Sequence, residues 1–438
     1  MRWKIVTERI PCQSQNCAAT ILPATAHKTG GFCIPCYQEQ ERRKRQAYIE
    51  QHRRDVDLYK GTADPVEVLK IMHTKQAYDP LIRYLPYPLN REQVYSALSG
   101  EDAERMKAYA LDLLSAGDEE TSVDILLSLL CYNNVRLTDC LPVLIGHELY
   151  YPGILYKDAS AEVRDQLLEQ VEQDSENRNH LLLALAWIGD GRIVQQFQQW
   201  REQPPQWAKE LFVSPDQYSL EAGWKLTEAG VRRDLFSHTG FAIERAAEPL
   251  NAEFAANEPA RFLGAGPEEC PWCGSGFTRL MELRNNHPSV RDLALADEWL
   301  KVDTCLSCGS YSVIYMETGN QGEPRWSLYN QAPQPLPDLN LGDDNDEYLA
   351  AAPRLHLAAQ PRNAYHAVEW TLEPAASQVG GHPTWIQDAE YPACPCCSEN
   401  MMFIAQLDWS QLGPYGEGIY YMFICPKDKI TATVYQQS

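Results

Sequence analysis

The sequence predicts a multidomain α+β protein in which an N-terminal cysteine module precedes an all-α, helical-repeat-like middle and a β-rich C-terminal domain. Three observations lead to this prediction. Twelve of the fourteen cysteines lie in three groups along the 438 residues. Apolar residues recur at helical spacing over much of the first half, whereas aromatic and β-branched runs separated by Gly, Pro and Asn dominate the last part. We expect the domains to span residues 1–45, 46–238 and 239–438.

The first cysteine group defines the N-terminal module. Its spacing is C-x4-C-x15-C-x2-C, and two glycines precede the second pair, where a tight turn needs a permissive backbone. Four thiolates complete a tetrahedral zinc site with no open position, so the spacing predicts a structural, zinc-ribbon-like site. A redox role for the last pair would need a strand–helix context, and the cysteines upstream favour metal instead. The predicted ligands are Cys12, Cys17, Cys33 and Cys36.

Helical patterning then continues to about residue 236. Gln38–Arg54 is rich in Glu, Arg, Lys and Gln, and Asp64-Pro65 is typical of a helix cap and first turn. The segment His180–Trp200 resembles one unit of a HEAT-like helical repeat, since an apolar helix, a Gly-Asp turn and an amphipathic helix follow one another. No fixed period is evident, so a regular solenoid and an irregular helical domain both stay open.

The second cysteine group opens the C-terminal part. Both of its pairs read C-x-x-C-G, and the glycine after each pair lets backbone N–H groups turn toward the sulfurs. The 31 residues between the pairs leave room for a helix, expected at about Ser289–Leu300. Two such pairs again predict a closed zinc site. The predicted ligands are Cys270, Cys273, Cys305 and Cys308.

The third group has an incomplete cysteine set. Cys394 and Cys397 form one pair, and Cys425 is followed three residues later by Asp428 where a fourth cysteine would be expected. Zinc accepts a carboxylate, so Asp428 is the predicted fourth ligand, while Cys396, His382 or a site without metal stay open as alternatives. The two remaining cysteines lie on apolar helices and are expected in the core. They are Cys131 and Cys140.

Short strands are predicted in the C-terminal part from β-branched and aromatic runs. A proline-rich connector, residues 331–338, leads into an acidic loop that we consider a candidate surface for binding a partner. Its acidic residues are Asp343, Asp344, Asp346 and Glu347. The predicted strands are Tyr311–Tyr315, Met402–Leu407, Ile419–Ile424 and Ile430–Tyr435.

Three blocks near the C-terminus resemble the YwqG-like domain family: Val379–Gln387, Met402–Asp408 and Gly416–Cys425. They combine Gly-His-Pro, Trp-Ile-Gln and a Gln-Leu-Asp strand in order, and the resemblance extends over about 241–438. Members of this family stand beside polymorphic bacterial toxins, in the position of immunity proteins. The resemblance therefore implies a role in toxin neutralisation, without implying a mechanism.

Charge and thiol usage bear on partners and location. The net charge of −22 disfavours a general nucleic-acid binder and favours a basic protein partner, although a simply solvated acidic surface is the other interpretation. Residues 1–60 are the exception, with 11 Lys and Arg against 6 Asp and Glu. No run of about 18 apolar residues predicts a membrane span, and Met1–Gln13 lacks the pattern of a secretory signal. Paired thiols in such a chain predict the cytoplasm.

These observations favour a cytoplasmic immunity protein that binds a basic toxin domain and occludes its active site, with a nuclease or an ADP-ribosyltransferase as the expected target. A nucleic-acid adaptor is the alternative, because the basic residues Arg42–Arg45, Arg53 and Arg54 adjoin the first cysteine group. An enzyme is the second alternative. We predict no catalysis, since the sequence contains no nucleophile elbow, phosphate-binding loop, dinucleotide fingerprint or H-E-x-x-H helix. His382 would be the best candidate for chemistry, but a structural role in a turn is favoured.

Overall fold

The computed structural model describes residues 8–246, 258–319, 322–333, 353–412 and 416–437. The chain divides into two compact units, Met1–Val94 and Tyr95–Ser438. Both units contain helices and strands, so the protein is a mixed α and β structure as predicted. The finer division into three domains stays a prediction. Within the described ranges, no helix combines the length and the apolar character that crossing a bilayer requires.

The first unit is built around short elements and one long helix. Helix α2 starts directly after Cys33 with Pro35 in its first turn and buries none of its side chains, which fits its polar composition. Helix α3 begins with Asp64, whose side chain accepts a hydrogen bond from the Val66 N–H, as the Asp-Pro pattern predicted. The elements are β1 (Ile10–Pro11), β2 (Thr20–Ile21), α1 (Pro23–Thr29), α2 (Ile34–His52), β3 (Arg54–Val56), α3 (Pro65–His73) and β4 (Ile82–Tyr84).

Seven helices follow, of which the first crosses the boundary between the units. Most of them begin at a Ser or Asp whose side-chain oxygen accepts a backbone N–H: Ser99, Asp118, Ser160 and Asp190. They are α4 (Arg91–Ser96), α5 (Gly100–Ser115), α6 (Glu119–Asn133), α7 (Leu141–Gly146), α8 (Ala161–Gln173), α9 (Arg178–Ile188) and α10 (Gly191–Glu202). Shorter 3-10 helices occur at Gly153–Tyr156, Gln206–Glu210 and Pro215–Leu220.

The helical pattern does not extend to residue 236 as expected. Strands β5 (Trp224–Leu226) and β6 (Arg232–Asp234) form an antiparallel hairpin there. The turn contains Gly230 at φ +74°, a conformation that favours glycine, and the Trp224 side chain is fully buried. A tight turn and a buried aromatic residue therefore override the helical periodicity at this end of the helical region.

The C-terminal part of the second unit contains two sheets. An eight-stranded sheet has the order β12-β11-β17-β16-β15-β14-β7-β13, and a three-stranded sheet has the order β10-β9-β8. All of their strand pairs are antiparallel. The strands are β7 (Phe241–Arg245), β8 (Ala260–Glu269), β9 (Gly276–Arg284), β10 (Trp299–Thr304), β11 (Ile314–Thr318), β12 (Pro324–Trp326), β13 (Leu355–Leu357), β14 (Gln378–Val379), β15 (Met402–Asp408), β16 (Ile419–Cys425) and β17 (Ile430–Gln436).

Strand β16 is buried on both faces. Tyr420, Met422 and Ile424 point into a core shared with the three-stranded sheet. The alternate residues Tyr421 and Phe423 point into a second core on the opposite face. Because successive side chains of a strand point to opposite faces, a fully apolar run such as this one predicts a central strand.

Three of the four predicted strands agree with the structure to within one residue, and the fourth is shifted. Tyr311 is 57% exposed and precedes β11, which begins at Ile314. The helix expected at Ser289–Leu300 is wrong. Only a 3-10 turn, Arg291–Leu293, occurs there, and Trp299 already pairs with Arg284 in the β9–β10 ladder. Pairing with β9 decides the conformation of this segment, which a short apolar pattern alone cannot do.

Candidate metal centres

The first cysteine group comes together at the start of α2. The ligand atoms of Cys12, Cys17, Cys33 and Cys36 all lie within 4.8 Å of one another. Cys33 is the N-cap residue of α2, which places Cys36 in the first turn of the helix. Gly31 has φ +94°, and a Cβ at this position would lie 2.5 Å from the Gln13 side chain, so the close turn before Cys33 requires glycine.

Distances in this group match a thiolate tetrahedron. The Sγ atoms of Cys17 and Cys33 are 3.8 Å apart. Four sulfurs at about 2.3 Å from a zinc ion would be separated by about 3.8 Å. The backbone N–H of Cys33 donates to Cys12 Sγ over 3.2 Å, and this hydrogen bond is the main cause that lowers the pKa of Cys12 to about 7. A sulfur that accepts a backbone N–H is favoured in the thiolate form that binds metal.

The second group links the two ends of the β9–β10 hairpin. Cys270 and Cys273 lie in the turn before β9, and Cys305 and Cys308 lie at the end of β10 and in the helical turn Leu306–Gly309. Their ligand atoms also lie within 4.8 Å of one another. Sγ–Sγ distances are 3.8 Å for Cys270–Cys308 and 3.4 Å for Cys273–Cys305. The Cys305 thiol is the main cause that lowers the pKa of Cys270 to about 5.

The glycines after the two pairs differ. Gly274 has φ +77°, a conformation that favours glycine, and its N–H donates to the Cys270 carbonyl oxygen over 2.8 Å instead of to a sulfur. Gly309 belongs to the helical turn Leu306–Gly309 and does not adopt a positive φ. An apolar wall surrounds the thiols and shields them from water, and it includes Phe277, Ile314, Met316, Trp272 and Trp326.

The third group contains the predicted carboxylate. Cys394, Cys397, Cys425 and Asp428 have ligand atoms within 4.8 Å of one another. Asp428 Oδ2 lies 3.2 Å from Cys394 Sγ and 3.3 Å from Cys425 Sγ. Hydrogen bonds from the surrounding thiols, first that of Cys397, lower the pKa of Asp428 to about 2, so the carboxylate is ionised and able to act as a ligand.

The structure separates the alternative ligands from this group. Neither Cys396, which is exposed, nor His382 joins the cluster among the described residues. His382 is buried, and its Nδ1 lies 2.8 Å from the carbonyl oxygen of Pro383. The two remaining cysteines, Cys131 and Cys140, are buried as predicted.

The three clusters therefore fit a metal that prefers thiolates. Each offers four protein ligands, which is the coordination number of structural zinc, and none of the fourteen cysteines is in a disulfide. A four-ligand set leaves no coordination position for a substrate. Such a centre can order the chain around it and cannot activate water in the way of a catalytic zinc site.

Two further observations concern candidate surfaces. The acidic residues Asp343, Asp344, Asp346 and Glu347 lie outside the described residues. Sequence reasoning also missed a cleft of about 630 Å³ within the second unit. It is formed by residues 151–154, 183–187, 212–221, 368–370 and 382–389, which are too far apart in sequence for any local motif to reveal it.

The fold and the donor sets define a class of protein: a mixed α and β chain with three closed cysteine clusters. The chain is 37% identical over 442 residues to an uncharacterized protein, YpfL, from Salmonella typhimurium strain LT2. The match covers 98% of this chain and 100% of the relative, so the chain belongs to the same family as YpfL. No protein-family model matches the chain, and no solved structure matches it.

Proposed function

We propose that the protein is a zinc-stabilised binding protein of the cytoplasm that recognises a basic protein partner and performs no catalysis. The observation that supports this most directly is the completeness of the three metal-ligand sets. Zinc at such sites contributes folding free energy, because metal binding and folding of the local chain are one equilibrium. The free state of all fourteen cysteines fits a reducing compartment.

The charge of the chain supports a basic partner. A net charge of −22 produces a negative potential that accelerates the association of cationic proteins and repels nucleic acids. The narrower form of the proposal is an immunity protein that blocks a toxin domain, with a nuclease or an ADP-ribosyltransferase as the target. Its support is the resemblance to YwqG-like proteins together with this charge, since enzymes acting on nucleic acids or dinucleotides need cationic clefts.

The contacts of α2 give less support to a nucleic-acid adaptor. Arg42 and Arg43 both pair with Glu39, and Lys44 pairs with Glu41, at distances of 2.7 to 2.9 Å. Three of the six basic residues that suggested phosphate binding thus form ion pairs with two carboxylates of the same helix. A phosphate ligand would have to compete with these ion pairs.

Co-expression with the products of neighbouring genes tests the proposal. We expect one basic product to form a stoichiometric complex with this chain, and we expect the complex to weaken as salt rises from about 0.1 to 0.5 M because charge pairs form it. If that product is a toxin, this chain should restore growth of the producing cells. Turnover of a small molecule that a single side-chain change abolishes would contradict the proposal, as would a steep salt dependence of binding to RNA or DNA.

A further inference from the structure

The cleft in the second unit has an aromatic rim and wall. Phe212 and Tyr151 are exposed at 105% and 55%, and Trp370 is exposed at 47%. Deeper in the cleft, Trp187 and Trp385 also contribute to the lining. A ligand that covers exposed aromatic rings on a concave surface gains binding free energy, because apolar surface is removed from water. The faces of the rings also attract cations.

Two ring nitrogens of residues that line the cleft are buried beneath surrounding atoms and are not accessible to a ligand. They are His382 Nε2 and Trp385 Nε1, on side chains that are 1% and 7% exposed. His382 Nδ1 lies 2.8 Å from the Pro383 carbonyl oxygen, and the Glu221 backbone also interacts with this imidazole. A ligand in the cleft would therefore contact the exposed aromatic rings and the carboxylates instead of these nitrogens.

The charge of the lining has one sign. Glu221, Glu369 and Asp388 line the cleft, and its described lining contains no lysine or arginine. Glu221 Oε1 accepts the Ala389 N–H over 2.7 Å, and Glu369 Oε1 accepts from Thr371, so among the described residues each carboxylate keeps its Oε2 available. Burial raises the pKa of Glu221, and the like charges of Asp388 and Glu369 raise it further, which a bound cation would reverse.

We propose that this cleft binds the guanidinium group of an arginine side chain that belongs to the basic partner. A guanidinium supplies five N–H donors and a planar cation, which matches carboxylate oxygens and aromatic faces together. An ammonium group offers no plane to stack on the rings, and an apolar ligand would leave the carboxylates without an opposite charge. The inference deepens the proposed function, because it identifies where the partner is recognised.

Titration of the full-length, metal-loaded protein with the peptide Ac-Gly-Arg-Gly-NH2 tests the site. Tryptophan fluorescence and calorimetry would follow binding, with the citrulline peptide as the neutral control of the same shape. We expect the citrulline peptide to bind at least about tenfold more weakly, the change that 1.4 kcal/mol produces. Equal binding of both peptides would overturn the proposal, as would the absence of binding by the arginine peptide.

Variants locate the site. Glu221→Gln and Glu369→Gln should each reduce the affinity for the arginine peptide several-fold. Both variants keep an Oε1 acceptor for Ala389 or Thr371. Trp370→Ala changes a side chain that is 47% exposed and should also weaken binding of the arginine peptide. Asp292→Asn removes one negative charge from a side chain that is 91% exposed and outside the cleft, so its affinity should equal that of the unchanged protein. Unchanged affinity in Trp370→Ala and in the folded glutamate variants would overturn the proposal.

The outcomes separate this inference from the proposed function. A stoichiometric basic partner whose affinity is insensitive to Trp370→Ala and Glu221→Gln would remove the cleft as the recognition site and leave the proposed function standing. Specific binding of the arginine peptide without any basic protein partner would contradict the proposed function and leave the cleft as an arginine-binding site.

Discussion

Asp428 stands where the other two clusters have a fourth thiol. Its Oδ2 atom lies 3.2 and 3.3 Å from two of the three sulfurs, and its pKa is lowered to about 2. Sulfur and oxygen ligands at about 2.3 and 2.0 Å from a zinc ion would be about 3.5 Å apart, so the carboxylate is placed as a ligand would be. A carboxylate in place of a thiolate should therefore change the affinity of the third site for metal, while the site still offers four ligands.

Substitution of Asp428 should change the metal content of the purified protein. We expect three zinc equivalents in the unchanged chain and two in Asp428→Ala, because three thiolates alone leave the coordination incomplete. Asp428→Cys should retain three and resist chelators longer, since it creates a fourth thiolate. Elemental analysis measures both results, and three retained equivalents in Asp428→Ala would exclude Asp428 as a ligand.

The buried His382 should make stability depend on pH. Burial lowers its pKa to about 4 against the opposing effect of the Pro383 and Glu221 backbone, whereas an unfolded histidine titrates near 6.5. The unfolded chain therefore binds the proton first as pH falls. The neutral, buried His382 therefore adds to the free energy of unfolding above about pH 6.5. This stabilisation, about 3 kcal/mol in total, is lost progressively as the pH falls toward about 4.

Nuclear magnetic resonance of the histidine ring would check this prediction. The ring of His382 should keep the shifts of the neutral form down to about pH 5. The histidine of a short unstructured peptide in the same buffer serves as the reference. A His382 ring that becomes protonated near pH 6.5 would contradict the prediction.

At the scale of the element, the α9–α10 pair shows how local sequence specifies structure. Gly189 ends α9 in the left-handed conformation at φ +50°, and Asp190 begins α10 by accepting the N–H groups of Arg192 and Ile193 over 3.0 Å. The same carboxylate pairs with Arg164 over 2.7 Å and so ties α8 to this turn. The Gly-Asp turn predicted within the HEAT-like segment is confirmed.

Substitution of Asp190 should separate these two roles. Asp190→Ala removes both the cap and the ion pair, and we expect the free energy of unfolding to fall by about 1 to 2 kcal/mol. Asp190→Asn keeps a capping oxygen and loses only the charge, so it should cost well under half as much. Urea unfolding followed by circular dichroism measures both. Equal losses would mean that the ion pair with Arg164 dominates.

At the scale of the whole molecule, the three candidate metal centres differ in how much apolar core surrounds them. Among the residues that the structure describes, the buried core at the first cluster consists of Cys12, Ile21 and Cys33. Such a small core cannot offset the entropy of ordering the surrounding loops, and we expect a bound metal to supply the difference. The second and third clusters instead adjoin the large sheet, whose cores remain without them.

Removal of single ligands should therefore have graded effects. Cys36→Ser and Cys273→Ser should each lose one zinc equivalent, and Cys36→Ser should raise hydrogen exchange throughout the segment 8–36 because that segment has almost no other core. Cys131→Ser changes a buried cysteine outside the clusters and should keep all the metal. Unchanged metal content and exchange in Cys36→Ser would show that the first site is assigned wrongly.

The sequence by itself determined the metal-ligand groups, the strongest strands and the capped helices. Those features depend on residues close together in the chain, such as a C-x-x-C turn, an alternating or fully apolar run, or an Asp before a helix. Only the tertiary structure decided that residues 299–304 form a strand, that Asp428 is the fourth member of its group and that Cys396 and His382 are not. The acid-lined cleft was equally invisible, because five distant segments form it and no periodicity records their meeting. Local patterns fix local conformation, whereas burial, pairing and charge are set by neighbours that are distant in sequence.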